Sequence, residues 1–334
     1  MRQKLQRITF LTLRSLADVL LGAGLLWQCG LFIYQPLSLL SLLIVAVLWG
    51  CYRWHKGHFG SIRTALWALF GSGVAAYYLL PNPHPEQWQT SWAREPQFAI
   101  QGDTLTITNL RDFHYRSETD FDVRYRTESY DLDQLTEVDF AECHWDGMEA
   151  ICHTMLSFGF ADGRHFVISA ETRLPEGEEQ NALGGLYKRY GLLYVFGTEE
   201  DIFALRTNHR HEDLLLMPMN IKPDKARELL ETFIAIAREA HSTRKPYNTA
   251  TGNCSSGVMQ SFRALAPNMP RIYDLAPIHN GSISRLLHKH GALITRPGES
   301  YDALRRRCYL GYDIAPQQPG QYSQAIRQKL RGNH

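Results

Sequence analysis

Cys254 is the residue whose surroundings most clearly suggest chemistry. The stretch Tyr247-Asn-Thr-Ala-Thr-Gly-Asn-Cys254-Ser-Ser-Gly-Val-Met-Gln-Ser-Phe262 reads as a loop turning into a helix. Asn248, Gly252 and Asn253 are turn formers, and Val258, Met259, Phe262 and Leu265 recur at helical spacing. Cys254 therefore falls at or beside the helix N-terminus, where free N–H groups and the positive dipole end favour a thiolate. A thiolate is a strong nucleophile for acyl transfer. The competing reading is a buried, inert cysteine that serves only as a small hydrophobe.

A thiol nucleophile needs a base within hydrogen-bond reach, and the base needs an orienting group. His153 opens an otherwise apolar strand, which suits either a positioned base or a satisfied core histidine. His153–Phe160 and His165–Arg173 flank Ala161-Asp-Gly-Arg164, a hairpin pattern. With the turn at Ala161–Arg164, His153 pairs near Thr172, and His165 lies roughly 20 Å from His153 in the turn, where it is solvated. Glu171 lies near the rung opposite His153 and is the candidate orienter. Whether it shares the histidine's face depends on register, because a one-residue slip moves every side chain across the sheet. A structural ion pair with Arg173 or Arg206 is the alternative for Glu171. Ser169 and Thr172 are neutral orienting alternatives on the same strand.

Other polar clusters carry less. His209-Arg-His211 lacks a third ligand at zinc spacing. No metal and no cofactor are expected. Cys152 adjoins His153 but should point to the opposite face of the strand. A disulfide among Cys143, Cys152 and Cys308 is permitted outside the cytoplasm, with no pairing indicated. Six cysteines in 334 residues do not form a disulfide framework, and a net charge of +1 gives no field for nucleic acid.

The elements that would position these residues follow. Thr104–Thr108, Val123–Ser129, Leu192–Phe196, Ile202–Leu205 and Asp213–Met219 are strand-like. Pro223–His241 is an amphipathic helix with Pro223 in its first turn. A further helix is expected over Ser282–His290, and the tail from Gln317 is polar and loosely ordered. A strand-rich middle followed by helices is α+β.

The first quarter differs. Ser15–Ile33, Leu37–Tyr52 and Ile62–Leu80 are apolar runs near the length of a membrane crossing, the second one short. Arg2, Lys4, Arg7 and Arg14 precede the first run, and Arg53, Lys56 and Arg63 separate the second from the third. The Tyr34-Gln35-Pro36 connection has neither Lys nor Arg. The positive-inside rule then leaves everything after Pro81 outside the cytoplasm. Trp49, Trp54, Tyr77 and Tyr78 fall near the interfaces, and Asp18 lies near the cytoplasmic end. The expected domains are a membrane region at 1–82, with three transmembrane helices, and an extracytoplasmic α+β domain at 83–334.

Asn109-Leu-Arg-Asp-Phe-His-Tyr115, His153–Phe160, Ile168-Ser-Ala-Glu-Thr-Arg173 and Tyr247-Asn-Thr with Asn253-Cys254 together resemble the Lnb N-terminal periplasmic domain family over about 98–265. The resemblance implies a circularly permuted papain-like fold, similar to NlpC-type and lecithin:retinol acyltransferase enzymes, in which the histidine precedes the cysteine. It implies Cys254 as nucleophile, His153 as base and Glu171 within a Ser-x-Glu-x-Arg element. Tyr247, Asn253 and Arg173, in the same motifs, are implied as substrate contacts. The expected activity is that of the family's lipoprotein N-acyltransferases, with a phospholipid acyl donor and a lipoprotein or other amine as acceptor. The expected location is the bacterial inner membrane, multi-pass, with the catalytic domain in the periplasm. In those acyltransferases the membrane helices follow the soluble domain; here they precede it. A cysteine hydrolase (phospholipase, amidase or peptidase) and a non-catalytic membrane-anchored binding domain are the competing functions.

Overall fold

Alternating apolar residues along 153–173 build the centre of a sheet whose two faces are both covered. The computed structural model describes residues 2–332 apart from 41, 44–45, 48–49, 51–61, 83–84, 146, 271–272, 274–278 and 316–319. The chain divides into two compact units. One is Met1–Pro83 with Asn181–Arg189; the other is His84–Gln180 with Tyr190–His334.

In the first unit a helix runs over Arg2–Tyr34, and its Ser15–Tyr34 part is long and apolar enough to cross a bilayer. Leu16, Val19, Leu20, Leu26 and Ile33 are all exposed on it, as a lipid-facing surface would be. Ile62–Leu79 forms a second helix with a shorter apolar stretch, Thr64–Leu79. Among the described residues one span thus meets the length, not three. The second expected run, Leu37–Tyr52, falls partly outside the described residues. Asn181–Arg189 completes the unit. Asn181 caps a short helix, Ala182–Gly185. Tyr187 stacks on Tyr34 with centroids 5.3 Å apart. Gln35 Nε2 donates to the carbonyls of Tyr187 (2.9 Å) and Lys188 (3.2 Å).

Among the described residues the second unit has ten strands: β1 (Gln97–Gln101), β2 (Thr104–Arg111), β3 (His114–Tyr115), β4 (Phe121–Asp122), β5 (Tyr125–Asp131), β6 (Leu135–His144), β7 (His153–Phe160), β8 (His165–Arg173), β9 (Gly191–Thr198) and β10 (Asp213–Pro218). Eight of them form one sheet in the order β1-β2-β9-β8-β7-β6-β10, with β5 on β2; β3 and β4 pair separately. All neighbours are antiparallel except β2 and β9. Leu156, Phe158 and Phe166 face the helices Pro223–Ser242 and Cys254–Leu265 in one apolar cluster. Met155, Val167 and Val195 face Ile202, Phe203, Tyr322 and Ile326 in a second. Each buried Phe or Leu contributes about 1.5–3 kcal/mol.

Two local expectations are corrected. Ile202–Leu205 is not a strand but lies in the helix Glu199–Ala204 and the π-turn that follows it. Thr198 caps that helix by accepting from Asp201 N–H, and Glu199, Glu200 and Asp201 fill its first turn, where acidic groups suit the dipole. The C-terminal tail is ordered as a helix over Tyr322–Gly332. Arg327 on it pairs with Glu199 (2.7 Å), Asp139 (3.1 Å) and Glu137 (3.2 Å), which ties the helix to β6.

Candidate active site

The hairpin register decides how the site is assembled. Met155 pairs with Ser169 and Gly159 with His165. Extended two residues, this register sets His153 opposite Glu171, on one face with Ser169. The turn holds five residues between the last pair, one more than the sequence pattern implied, with Gly163 at φ +84°.

Cys254 is the first residue of the Cys254–Leu265 helix. Asn253 caps that helix in a reciprocal box: its Oδ1 accepts from Ser255 N–H (3.1 Å), and Ser256 Oγ accepts from Asn253 N–H (3.1 Å). Asn253 Nδ2 donates to Thr249 O (3.0 Å). Asn248 ties the loop before it, bonding Gly252 through both backbone groups. Gly257 lets the helix approach β9, since a Cβ there would meet Tyr194 Oη at 2.4 Å.

His153 lies close enough to Cys254 for the charge of each to shift the proton affinity of the other. Its Nε2 faces Ser169 Oγ at 2.7 Å and Glu171 Oε1 at 3.4 Å. Ser169 Oγ donates to Glu171 Oε1 (2.6 Å), and Arg206 Nη2 donates to the same oxygen (3.1 Å). Behind Arg206, at 3.9 Å, stands Glu212, which accepts from the Cys143 thiol (2.8 Å).

The charges follow from these contacts. Burial pushes the Cys254 thiol up, but the His153 charge, with help from Thr154 N–H and Ser255, brings it down to about 7. Burial pulls His153 down and Arg206 opposes its charge, yet the Glu171 carboxylate and Cys254 hold it up at about 9. Burial raises Glu171, but His153, Arg206 and Ser169 outweigh it and hold the carboxyl well below the usual range. The arrangement favours a thiolate–imidazolium pair beside a permanent carboxylate.

The structure brings Cys254, His153 and Glu171 together. Ser169, considered only as an alternative to Glu171, is the group in direct contact with the ring. Tyr247 packs against the core close by. Of the other implied substrate contacts, Asn253 has its side chain engaged in capping. Arg173 does not join the site: it donates to Trp92 O (2.9 Å) and Ala93 O (2.9 Å), pairs with Glu95 and covers Trp88. These bonds clamp the segment before β1 to the sheet. His165 belongs to the turn as expected but is not solvated; its Nε2 bonds Glu137 at 2.6 Å and its side chain is 5% exposed. His211 pairs with Asp313. Cys143, Cys152 and Cys308 are free thiols. Among the described residues no group of three or more His, Cys, Asp or Glu is placed to hold a metal.

Sequence reasoning missed Asn280. Its amide grips the Cys152 backbone and reaches toward Cys254 from a proline-rich stretch without periodicity. No sequence pattern linked it to the cysteine.

A comparison with family models finds a match over the part of the chain that holds these residues. Residues 121–283 match the Lnb N-terminal periplasmic domain family. The match bears out the resemblance, and it extends past the expected end at 265 to include Asn280 along with His153, Glu171 and Cys254. β1, β2, β3 and the expected membrane region at 1–82 lie outside the match, as does the Asn109–Tyr115 piece of the resemblance. No curated protein and no solved structure matches the chain. A match to a periplasmic domain family, together with one candidate membrane helix before it, fits a membrane-anchored periplasmic protein.

Proposed function

We propose that this protein is a membrane-anchored thiol acyltransferase of the periplasmic face of the inner membrane. The observation that carries the proposal is the Cys254 thiol, brought down to about 7 at a capped helix start beside an imidazole held up at about 9. In this reading the Cys254 thiolate attacks the carbonyl carbon of a phospholipid ester. A C–S bond forms and the π pair moves to oxygen. Collapse expels the glyceryl oxygen, which takes its proton from the His153 imidazolium. An amine, such as a lipoprotein N-terminus, then attacks the thioester, gives a proton to His153 and releases the thiolate. Glu171 and Ser169 hold the ring throughout. The Cys254 N–H, at the first helical position, has no intrahelical acceptor and is available to the developing oxyanion.

The finer architecture belongs to the same proposal: three crossings, a permuted papain-like core and a lipid substrate reached from the bilayer. The hydrolase reading shares every step up to the thioester and differs in using water to resolve it.

The test is intact mass after incubation of the purified protein with phospholipid vesicles. One acyl chain on Cys254, removed by hydroxylamine and absent from Cys254→Ala, is the expected result. Resolution of that adduct by an amine-bearing lipopeptide, well ahead of water, selects the transferase. Absence of both adduct and lysophospholipid defeats the proposal.

A further inference from the structure

Asn280 is 5% exposed and engages the Cys152 backbone with both ends of its carboxamide. Oδ1 accepts from Cys152 N–H at 2.8 Å, and Nδ2 donates to Cys152 O at 2.6 Å. These two bonds determine which end of the amide is oxygen. An amide nitrogen carries two hydrogens. One serves Cys152 O, and the other is directed at Cys254 Sγ, 3.6 Å away. Gly281 presses the segment down: its N–H bonds Ala150 O at 3.2 Å, and a Cβ there would meet Glu149 O at 1.9 Å. The amide is therefore held rigidly against the backbone that leads into His153.

We propose that Asn280 supplies the side-chain donor of an oxyanion hole, with the Cys254 N–H as the second donor. This deepens the acyl-transfer reading and rests on Cys254 attacking a carbonyl carbon. When Sγ bonds to that carbon, the π pair collects on an oxygen next to the sulfur. A donor already aimed at the sulfur and fixed by two backbone bonds meets that charge without reorganising, which is the condition under which such donors are effective.

A backbone anchor and an oxyanion donor make different demands, and two measurements separate them. Asn280→Asp keeps the acceptor for Cys152 N–H and loses the donor; Asn280→Ala loses both. Acyl transfer should fall roughly 10²–10³-fold in kcat, with KM little changed. Alkylation of Cys254 by iodoacetamide forms no oxyanion and should fall less than about tenfold. Equal losses in both reactions would mean that Asn280 acts only by placing Cys152 and His153, and would overturn the proposal.

The second measurement uses the unaltered full-length protein, labelled with ¹⁵N-asparagine, and a saturated eight-carbon aldehyde carrying ¹³C at its carbonyl. Addition of Cys254 forms one S–C bond and moves the π pair to oxygen, which takes its proton from the His153 imidazolium and gives a hemithioacetal visible in the carbon spectrum. The Asn280 amide protons, assigned by their loss in Asn280→Asp, should shift as the adduct forms. An adduct without that shift defeats the oxyanion role and leaves the nucleophile standing. Failure of the aldehyde to add to Cys254 defeats the nucleophile, and the Asn280 proposal with it.

Discussion

Ser169 stands between His153 and Glu171, with its hydroxyl 2.7 Å from the ring nitrogen and 2.6 Å from the carboxylate. The ring and carboxylate themselves are 3.4 Å apart. Glu171 therefore acts on the histidine by its charge and through the serine. Ser169→Ala should lower turnover about tenfold, and Glu171→Gln roughly a hundredfold, with the fold intact by melting curve. Cys254→Ala should abolish turnover. The double variant Ser169→Ala/Glu171→Gln should be little worse than Glu171→Gln alone, because the two side chains act as one unit. Acyl transfer at saturating phospholipid measures all four. Full activity of Glu171→Gln would return Glu171 to the role of an ion-pair partner for Arg206.

The pH profile should be bell-shaped for turnover and sigmoidal for thiol alkylation. Below about 7 the Cys254 thiolate takes up a proton and both reactions fall. Above about 9 His153 loses its proton; transfer then lacks an acid for the leaving oxygen, while alkylation continues. The two limbs belong to the pair and not to either residue alone. Removing the Glu171 charge lowers the histidine's affinity for its proton, so the alkaline limb of the Glu171→Gln bell should move to lower pH.

Arg206 is 4% exposed and is the countercharge for buried Glu171 and for Glu212. Arg206→Gln removes a buried countercharge, leaving Glu171 with His153 and Glu212 with Arg210, and should cost about 3–5 kcal/mol in urea unfolding. Because the arginine opposes the imidazolium, its loss should also move the alkaline limb of turnover to higher pH. A destabilised protein with an unmoved limb would confine Arg206 to structure.

A phosphatase reporter fused after Leu310 should be active, because the positive-inside reading leaves that end outside the cytoplasm. Activity of a cytoplasmic reporter at the same position would overturn the periplasmic site.

His165→Ala should leave transfer unchanged, since His165 pairs with Glu137 in the turn, away from the cysteine. Loss of transfer with an unchanged melting curve would give the turn a part in the reaction.

The places of Cys254 and His153 in the fold were legible because each follows a local rule: a cysteine after a turn-forming run that enters a helix, and a histidine opening an apolar strand. Glu171 was only half legible. A four-residue turn at Ala161–Arg164 points His153 near Thr172, and the five-residue turn observed points it at Glu171; one residue of register separates a partner from a bystander. Arg173 was misread because the motif that contains it says nothing about Trp92, Ala93 and Glu95, far back in the chain. Asn280 was invisible for a similar reason. Its partners are Cys152 and Cys254, and no periodicity in the proline-rich run before it links the three. The helix at Glu199 was recoverable from Thr198 and three acidic residues behind it, a capping signal outweighed by the apolar run that follows.

The strand that carries Ser169 and Glu171 leads on to Asn181–Arg189, which groups with the helices Arg2–Tyr34 and Ile62–Leu79. Removing the first 83 residues to obtain a soluble protein would therefore leave unfinished business on the surface. Tyr187 would lose Tyr34 and Trp27, Lys188 would lose the Tyr77 ring, and two carbonyls would lose Gln35. What remains is an aromatic stub in water and a natural starting point for aggregation. A well-behaved truncation must also replace Asn181–Arg189 with a short polar turn from Gln180 to Tyr190.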